Sequence, residues 1–101
     1  MNKREYNLLE KEVRSRVKEL LFDKFRYEFG VGSESKFLDV YYSEHRYTGQ
    51  KFVIEAHWGS GNNYTKYYVD GSQSDNKIIQ QLTDLIMALM IKHNLDWIFP
   101  F

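Results

Sequence analysis

The sequence contains no cysteine and a single proline, and its charges cancel. Without cysteine there can be no disulfide framework, no zinc–thiolate cluster and no thiol nucleophile. The 14 Lys and Arg residues balance 14 Asp and Glu residues, so the formal net charge is zero. That balance removes the strongly basic composition that would be the simplest indication of a nucleic-acid-binding domain.

The sequence also lacks an apolar run long enough for a membrane-spanning helix. The longest run is LIMALMI at residues 85–91, whereas a spanning helix needs about 20 apolar residues. The opening residues, MNKREYNLLEKE, show neither the apolar segment nor the cleavage site of a secretory signal. We therefore expect a cytoplasmic protein that does not enter a membrane.

What the chain does contain is enough apolar sequence for one buried core. It has 101 residues, of which 43% are hydrophobic and 17% aromatic. A chain of this length fits a single domain, 1–101. The glycines fall between periodic segments and divide the chain into a helix, three strands and a second helix.

The first element is predicted to be one long helix over residues 3–29. Asn2 can cap it, because Glu5 follows three residues later as in a capping box. An apolar stripe at three- and four-residue spacing consists of Tyr6, Leu9, Val13, Val17, Leu20 and Leu21. The stripe then shifts by about 100° to Phe22, Phe25 and Phe29. The shift predicts either a bend near Asp23 or a separate packing partner for the last two turns.

Three short aromatic and β-branched segments are predicted to be strands, at residues 36–42, 51–58 and 63–70. The turn sequence GSGN at 59–62 predicts a hairpin between the last two, because Gly and Asn tolerate positive φ. A second helix is predicted over 75–93, followed by an apolar tail at 95–101. The fold class is therefore α+β, with order αβββα, an antiparallel three-stranded sheet and both helices on one face.

Alternation along the strands assigns their side chains to two faces. One face is apolar and is expected to lie under the helices. The other face is mixed and is expected to lie open; it carries Asp39, Tyr41, Lys51, Glu55, His57, Tyr64, Lys66 and Tyr68.

Few residues support catalysis. Glu55 and His57 are two residues apart on one strand face and could share a metal ligand with Asp39 nearby, but no metal-binding signature accompanies them. Ser60 lies between two strands, which is not the strand–turn–helix setting of a hydrolase nucleophile. We therefore predict a solvated Glu and His, no metal, no cofactor and no enzymatic activity.

The predicted element order resembles that of the double-stranded RNA-binding domain. The resemblance implies RNA contacts from the first helix, from the loop between the first two strands and from lysines that open the last helix. Here the loop offers His45 and Arg46, and the last helix opens with the single Lys77. An RNA- or DNA-binding domain is therefore the alternative prediction.

Protein binding is the main prediction, because the chain has surplus apolar surface. Met87 and Ile91 lie outside the apolar arc of the last helix, and the tail adds Trp97, Phe99 and Phe101. These residues are expected either to close the core or to contact a partner, which can be a second copy of the chain.

The predicted contact residues for a protein partner lie on the open sheet face and the adjoining loop: Tyr41, Tyr64, Lys66 and Tyr68, with His45, Arg46 and Tyr47. The size, neutrality and lack of catalytic signatures are similar in kind to those of small phage- or mobile-element-encoded inhibitors of host defence, such as anti-CRISPR proteins. We therefore predict a non-enzymatic inhibitor that binds a host protein complex inside the host cell.

Overall fold

A computed structural model describes residues 2–21, 24–29, 36–46, 49–57 and 64–92. They form an α+β fold with two α-helices, one 3₁₀ helix and four strands. In chain order these are α1 (Lys3–Arg16), the 3₁₀ helix (Glu19–Leu21), β1 (Phe25–Phe29), β2 (Lys36–His45), β3 (Gly49–His57), β4 (Tyr64–Asp70) and α2 (Asp75–Lys92). No helix among these residues is both long enough and apolar enough to cross a membrane.

The strands form one antiparallel sheet in the order β1-β2-β3-β4. The predicted antiparallel sheet is confirmed, but it has four strands rather than three. The three predicted strands correspond to β2, β3 and β4. Strand β2 extends to His45, three residues beyond its predicted end, and β3 begins two residues earlier than predicted.

The prediction of one helix over 3–29 is wrong, because α1 ends at Arg16 and residues 25–29 form β1. The sequence FRYEF alternates aromatic and charged residues with the period of a strand. Pairing with β2 satisfies backbone groups on one side of β1 and places Phe25 and Tyr27 in the core. The shift of the apolar stripe therefore reflects, in part, the change from helix to strand. The additional strand β1 also makes the observed order of elements different from that of the double-stranded RNA-binding domain.

The predicted N-terminal cap of α1 is confirmed. The Glu5 amide donates to Asn2 Oδ1 at 2.9 Å, and the Asn2 amide donates to Glu5 Oε2 at 3.1 Å. This capping box satisfies two amides that an uncapped helix leaves without a partner.

The two α-helices pack against each other in antiparallel directions. Tyr6 near the start of α1 donates to Asp84 Oδ1 at 2.8 Å, and Arg14 near its end donates to Asn76 Oδ1 at 3.3 Å. The hydrogen bond to Asp84 raises the pKa of Tyr6 to about 12. The two helices thus form one layer.

The core lies between this helical layer and one face of the sheet. Its largest fully buried side chains come from every layer: Leu9, Val13, Leu20, Leu38, Val40, Ile54, Leu82, Thr83, Ile86 and Met90. In the described residues, no side chain from the opposite face of the sheet belongs to this core. We call that opposite face the open face.

Candidate functional site

The open face is built from alternate residues of four adjacent strands, so its side chains form rows across the sheet. The central row contains Arg26, Asp39, Glu55 and Lys66, each directly opposite the next. Its charges run positive, negative, negative, positive. The two carboxylates therefore lie side by side in the middle of the sheet, with a cation outside each.

Arg26 and Asp39 form the most strongly bonded pair of this row. Arg26 Nε lies 2.7 Å from Asp39 Oδ1, and Arg26 Nη2 lies 3.1 Å from Asp39 Oδ2. Lys24 Nζ lies 3.7 Å from Asp39 Oδ2. Asp39 is only 4% exposed, and these cations compensate the charge that burial would otherwise make costly.

Glu55 is held by a hydrogen bond on each carboxylate oxygen. The hydroxyl of Tyr41 donates to Oε2 at 2.5 Å, and His57 Nε2 lies 3.0 Å from Oε1. Burial raises the pKa of Glu55, but the hydrogen bonds from Tyr41 and His57 and the charge of Lys66 outweigh it, so the pKa falls below 4.5. Because the ionised carboxylate can only accept, Nε2 of His57 carries the proton. Burial and the hydrogen bond that the Tyr41 hydroxyl donates to Glu55 raise the pKa of Tyr41.

A second row contributes three stacked rings. The Phe37 and His57 rings lie 4.3 Å apart with their planes 17° apart, and the His57 and Tyr64 rings lie 5.0 Å apart at 23°. The Arg26 guanidinium lies 3.9 Å from the centre of the Phe37 ring. Stacking and the cation–π contact join this row to the charged row and restrict the rotamers of both.

The most exposed aromatic residues of the face lie on β4. Tyr68 is 63% exposed and Tyr64 is 45% exposed. Tyr68 lies opposite Val53, which is opposite Tyr41. Val53 is buried although it is on the open face, so the face has an apolar centre between two tyrosines.

The charge of the open face is balanced. Its described residues include four basic and four acidic side chains: Lys24, Arg26, Lys51, Lys66, Glu28, Asp39, Glu55 and Asp70. A phosphate backbone is attracted by an excess of positive charge. The described residues of this face carry no such excess.

The suggested metal ligands Asp39, Glu55 and His57 do come together, with ligand atoms within 4.8 Å of one another. Each of the four carboxylate oxygens already lies within hydrogen-bond distance of a donor in Arg26, Tyr41 or His57. A divalent cation would have to displace these donors and would add charge beside Arg26. The geometry therefore favours an internal hydrogen-bond network over a metal centre.

A small cleft lies on the other side of the sheet, near the start of α2. Its volume is about 150 Å³, and Val17, Lys18, Tyr42 and Gly71 are among the residues that line it. Pockets for small ligands usually enclose at least about 300 Å³. The cleft is too small for such a ligand, so the open face is the stronger candidate site.

The structure brings together four of the predicted contact residues, Tyr41, Tyr64, Lys66 and Tyr68. Arg46 is exposed directly after β2. The side chain of His45 and the whole of Tyr47 lie outside the described residues.

The predicted apolar contacts separate into two groups. Met87 is partly buried and packs against the core, whereas Ile91 is 59% exposed. Trp97, Phe99 and Phe101 lie outside the described residues, as does the whole of the predicted tail. A tail that closes the core and a tail that binds a partner therefore both stay predictions.

Arg26 is the residue of this site that the sequence analysis missed. Placing it in a long helix separated it from Asp39, to which it is bound. The alternation of Phe25, Tyr27 and Phe29 with Arg26 and Glu28 was the signal that could have placed it on a strand.

Comparison of the chain with protein-family models, with curated proteins and with solved structures finds no match in any of the three. The geometry of the open face is therefore the feature of this chain that bears on its function.

Proposed function

We propose that this protein is a non-enzymatic binding domain whose open sheet face docks a partner protein. One observation carries the proposal: Tyr64 and Tyr68 are exposed on a face that an internal network orders and that none of the described helices covers. The action would be stoichiometric, in that the domain occupies a surface of its partner. Small inhibitors of the anti-CRISPR kind act in this general way.

The composition of the face supports protein binding on energetic grounds. Tyrosine and arginine are enriched among the residues that dominate binding energy, and they act best when surrounded by groups that exclude water. Here the Val53 side chain and the Phe37–His57 stack lie beside the tyrosines. Side chains that are already ordered lose less entropy when a partner binds.

The alternative of RNA or DNA binding receives less support. Stacked rings such as His57 and Tyr64 can accept a base, and Lys66 lies 5.8 Å from the Tyr64 ring. However, the four acidic side chains of the face oppose the phosphate contacts that supply most nonspecific affinity. A surface with balanced charges, exposed tyrosines and an arginine is more typical of a protein interface.

Site-specific photo-crosslinking in the native cells tests the proposal. The variant Tyr68→p-benzoylphenylalanine is expected to form one defined adduct with a protein partner. The matched control carries the same crosslinker at Gln80, which is exposed on α2, and is expected to form none. Equal adducts from both positions, or an adduct from Gln80 alone, would place the contact elsewhere.

A salt titration separates the two macromolecular alternatives. We expect no binding to duplex or single-stranded nucleic acid at 50 mM salt. Binding that weakens steeply with salt and is lost in Lys51→Ala/Lys66→Ala would favour the nucleic-acid alternative instead.

A further inference from the structure

Strand β1 is an edge of the sheet. In the described part of the chain the strand that pairs with it is β2. Natural proteins commonly protect such an edge with charged side chains, especially lysine, with proline or with a bulge. The five residues of β1, FRYEF, contain one basic and one acidic residue and no proline, so their charges do not oppose pairing with a second strand.

The sequence of β1 is complementary to itself. When two FRYEF strands run antiparallel and are centred on Tyr27, Phe25 lies opposite Phe29, and Arg26 lies opposite Glu28. Each of these two pairings occurs twice in the dimer, because the arrangement is symmetric about Tyr27. Opposite charges at directly opposed positions stabilise a pair of strands.

The side chains of Arg26 and Glu28 have the capacity for this contact. Arg26 is 42% exposed, and its bonds to Asp39 use Nε and Nη2, which leaves the Nη1 donors for a second carboxylate. Glu28 is exposed, and the residue opposite it on β2 is Phe37 rather than a cation. A second copy would give Arg26 a carboxylate on each side.

The other edge of the sheet is less suited to self-pairing. The acidic residue of β4, Asp70, already accepts hydrogen bonds from the Ser72 amide at 2.9 Å and the Ser72 hydroxyl at 2.7 Å. Its lysine, Lys66, belongs to the open-face row beside Glu55. Charge complementarity therefore favours β1 over β4 as the edge at which two copies pair.

We propose that two copies of this chain form a homodimer by antiparallel pairing of their β1 strands, centred on Tyr27. The two-fold axis stands perpendicular to the sheet, because opposed residues of antiparallel strands share a face. The product is a continuous eight-stranded sheet with both open faces on the same side. The dimer thus presents two docking faces to one large or repetitive partner, and its formation does not depend on the identity of that partner.

Solution mass tests the dimer directly. Light scattering on the purified chain is expected to give twice the monomer mass of 12.2 kDa. Glu28→Arg places four arginines around the axis and is expected to raise the dissociation constant at least about tenfold. Lys77→Glu reverses an exposed charge on α2, outside the sheet, and is the matched control that keeps the dimer.

The register is tested by nuclear Overhauser effects in a dimer that mixes labelled and unlabelled chains. Contacts between the backbones of Tyr27 in the two chains are expected. A mass of 12.2 kDa at all concentrations up to about 0.5 mM would overturn the proposal. So would a dimer that Glu28→Arg leaves intact, or one that Lys77→Glu dissociates.

Discussion

The two faces of the sheet are made by the same strands but are ordered by different forces. The covered face packs apolar side chains such as Val40 and Ile54 against two helices. The open face uses ion pairs, hydrogen bonds and ring stacking to order its residues. None of the described helices covers the open face, yet its own network orders the side chains and leaves Tyr64 and Tyr68 exposed to a partner.

The largest expected difference between the faces is the loss in free energy of unfolding when a buried valine is replaced by alanine. Val40 is on the covered face and Val53 on the open face, and both are almost fully buried. We expect Val40→Ala to lower the free energy of unfolding by about 2–3 kcal/mol, because the sealed core cannot collapse into the cavity.

Val53→Ala is the matched variant and is expected to cost about 1 kcal/mol, since Tyr41 and Tyr68 can close over the smaller side chain. Urea denaturation of both variants measures the difference. Equal costs would mean that the open face is packed as rigidly as the core.

The next largest effect concerns the ion pair of Arg26 and Asp39. Asp39→Asn removes the buried carboxylate and is expected to lower the free energy of unfolding by about 1–3 kcal/mol, because the hydrogen bonds lost are charge-assisted. Glu10→Gln is the control: it removes the exposed pair with Arg14 and should cost at most about 0.5 kcal/mol. Denaturation at neutral pH compares them, and a negligible cost for Asp39→Asn would contradict the assigned network.

The pH dependence of stability gives a smaller effect. The pKa of Glu55 in the folded protein lies below its ordinary value of 4.5. Its contribution to stability is therefore complete above that value and is lost as the pH falls through the folded pKa. We expect the melting temperature to fall less between pH 5 and 3 in Glu55→Gln than in the parent chain, and identical slopes would contradict the assignment.

The smallest effect on stability is expected at the most exposed tyrosine. Tyr68→Ala should change the free energy of unfolding by no more than about 0.5 kcal/mol, because the side chain is largely solvated. Thermal denaturation measures this change. A loss above about 2 kcal/mol would mean that Tyr68 supports the fold and is not held free for a partner.

Period-two alternation was sufficient to predict the two faces of β2, β3 and β4. Phe52, Ile54 and Ala56 are buried beneath the helices as expected, and Glu55 and His57 point away from them. The capping box at Asn2 was also predictable, because it depends on residues three positions apart. Local patterns determine these features, so they can be found without knowledge of the tertiary structure.

The strand conformation of β1 was harder to predict from the sequence, because it depends on pairing with β2. Five residues that follow a helical stripe gain their strand conformation by pairing with β2. Arg26 then meets Asp39 across that pair. The network of the open face is a consequence of this tertiary contact, which spacing along the chain does not reveal.

The most direct test of the docking face is the affinity of the crosslinked partner, measured by titration calorimetry with purified variants. We expect Tyr64→Ala/Tyr68→Ala to raise the dissociation constant at least about a hundredfold. Ile91→Ala removes a similarly exposed apolar side chain from α2 and should leave the affinity unchanged. Unchanged affinity in the tyrosine variant, together with loss in Ile91→Ala, would contradict the account.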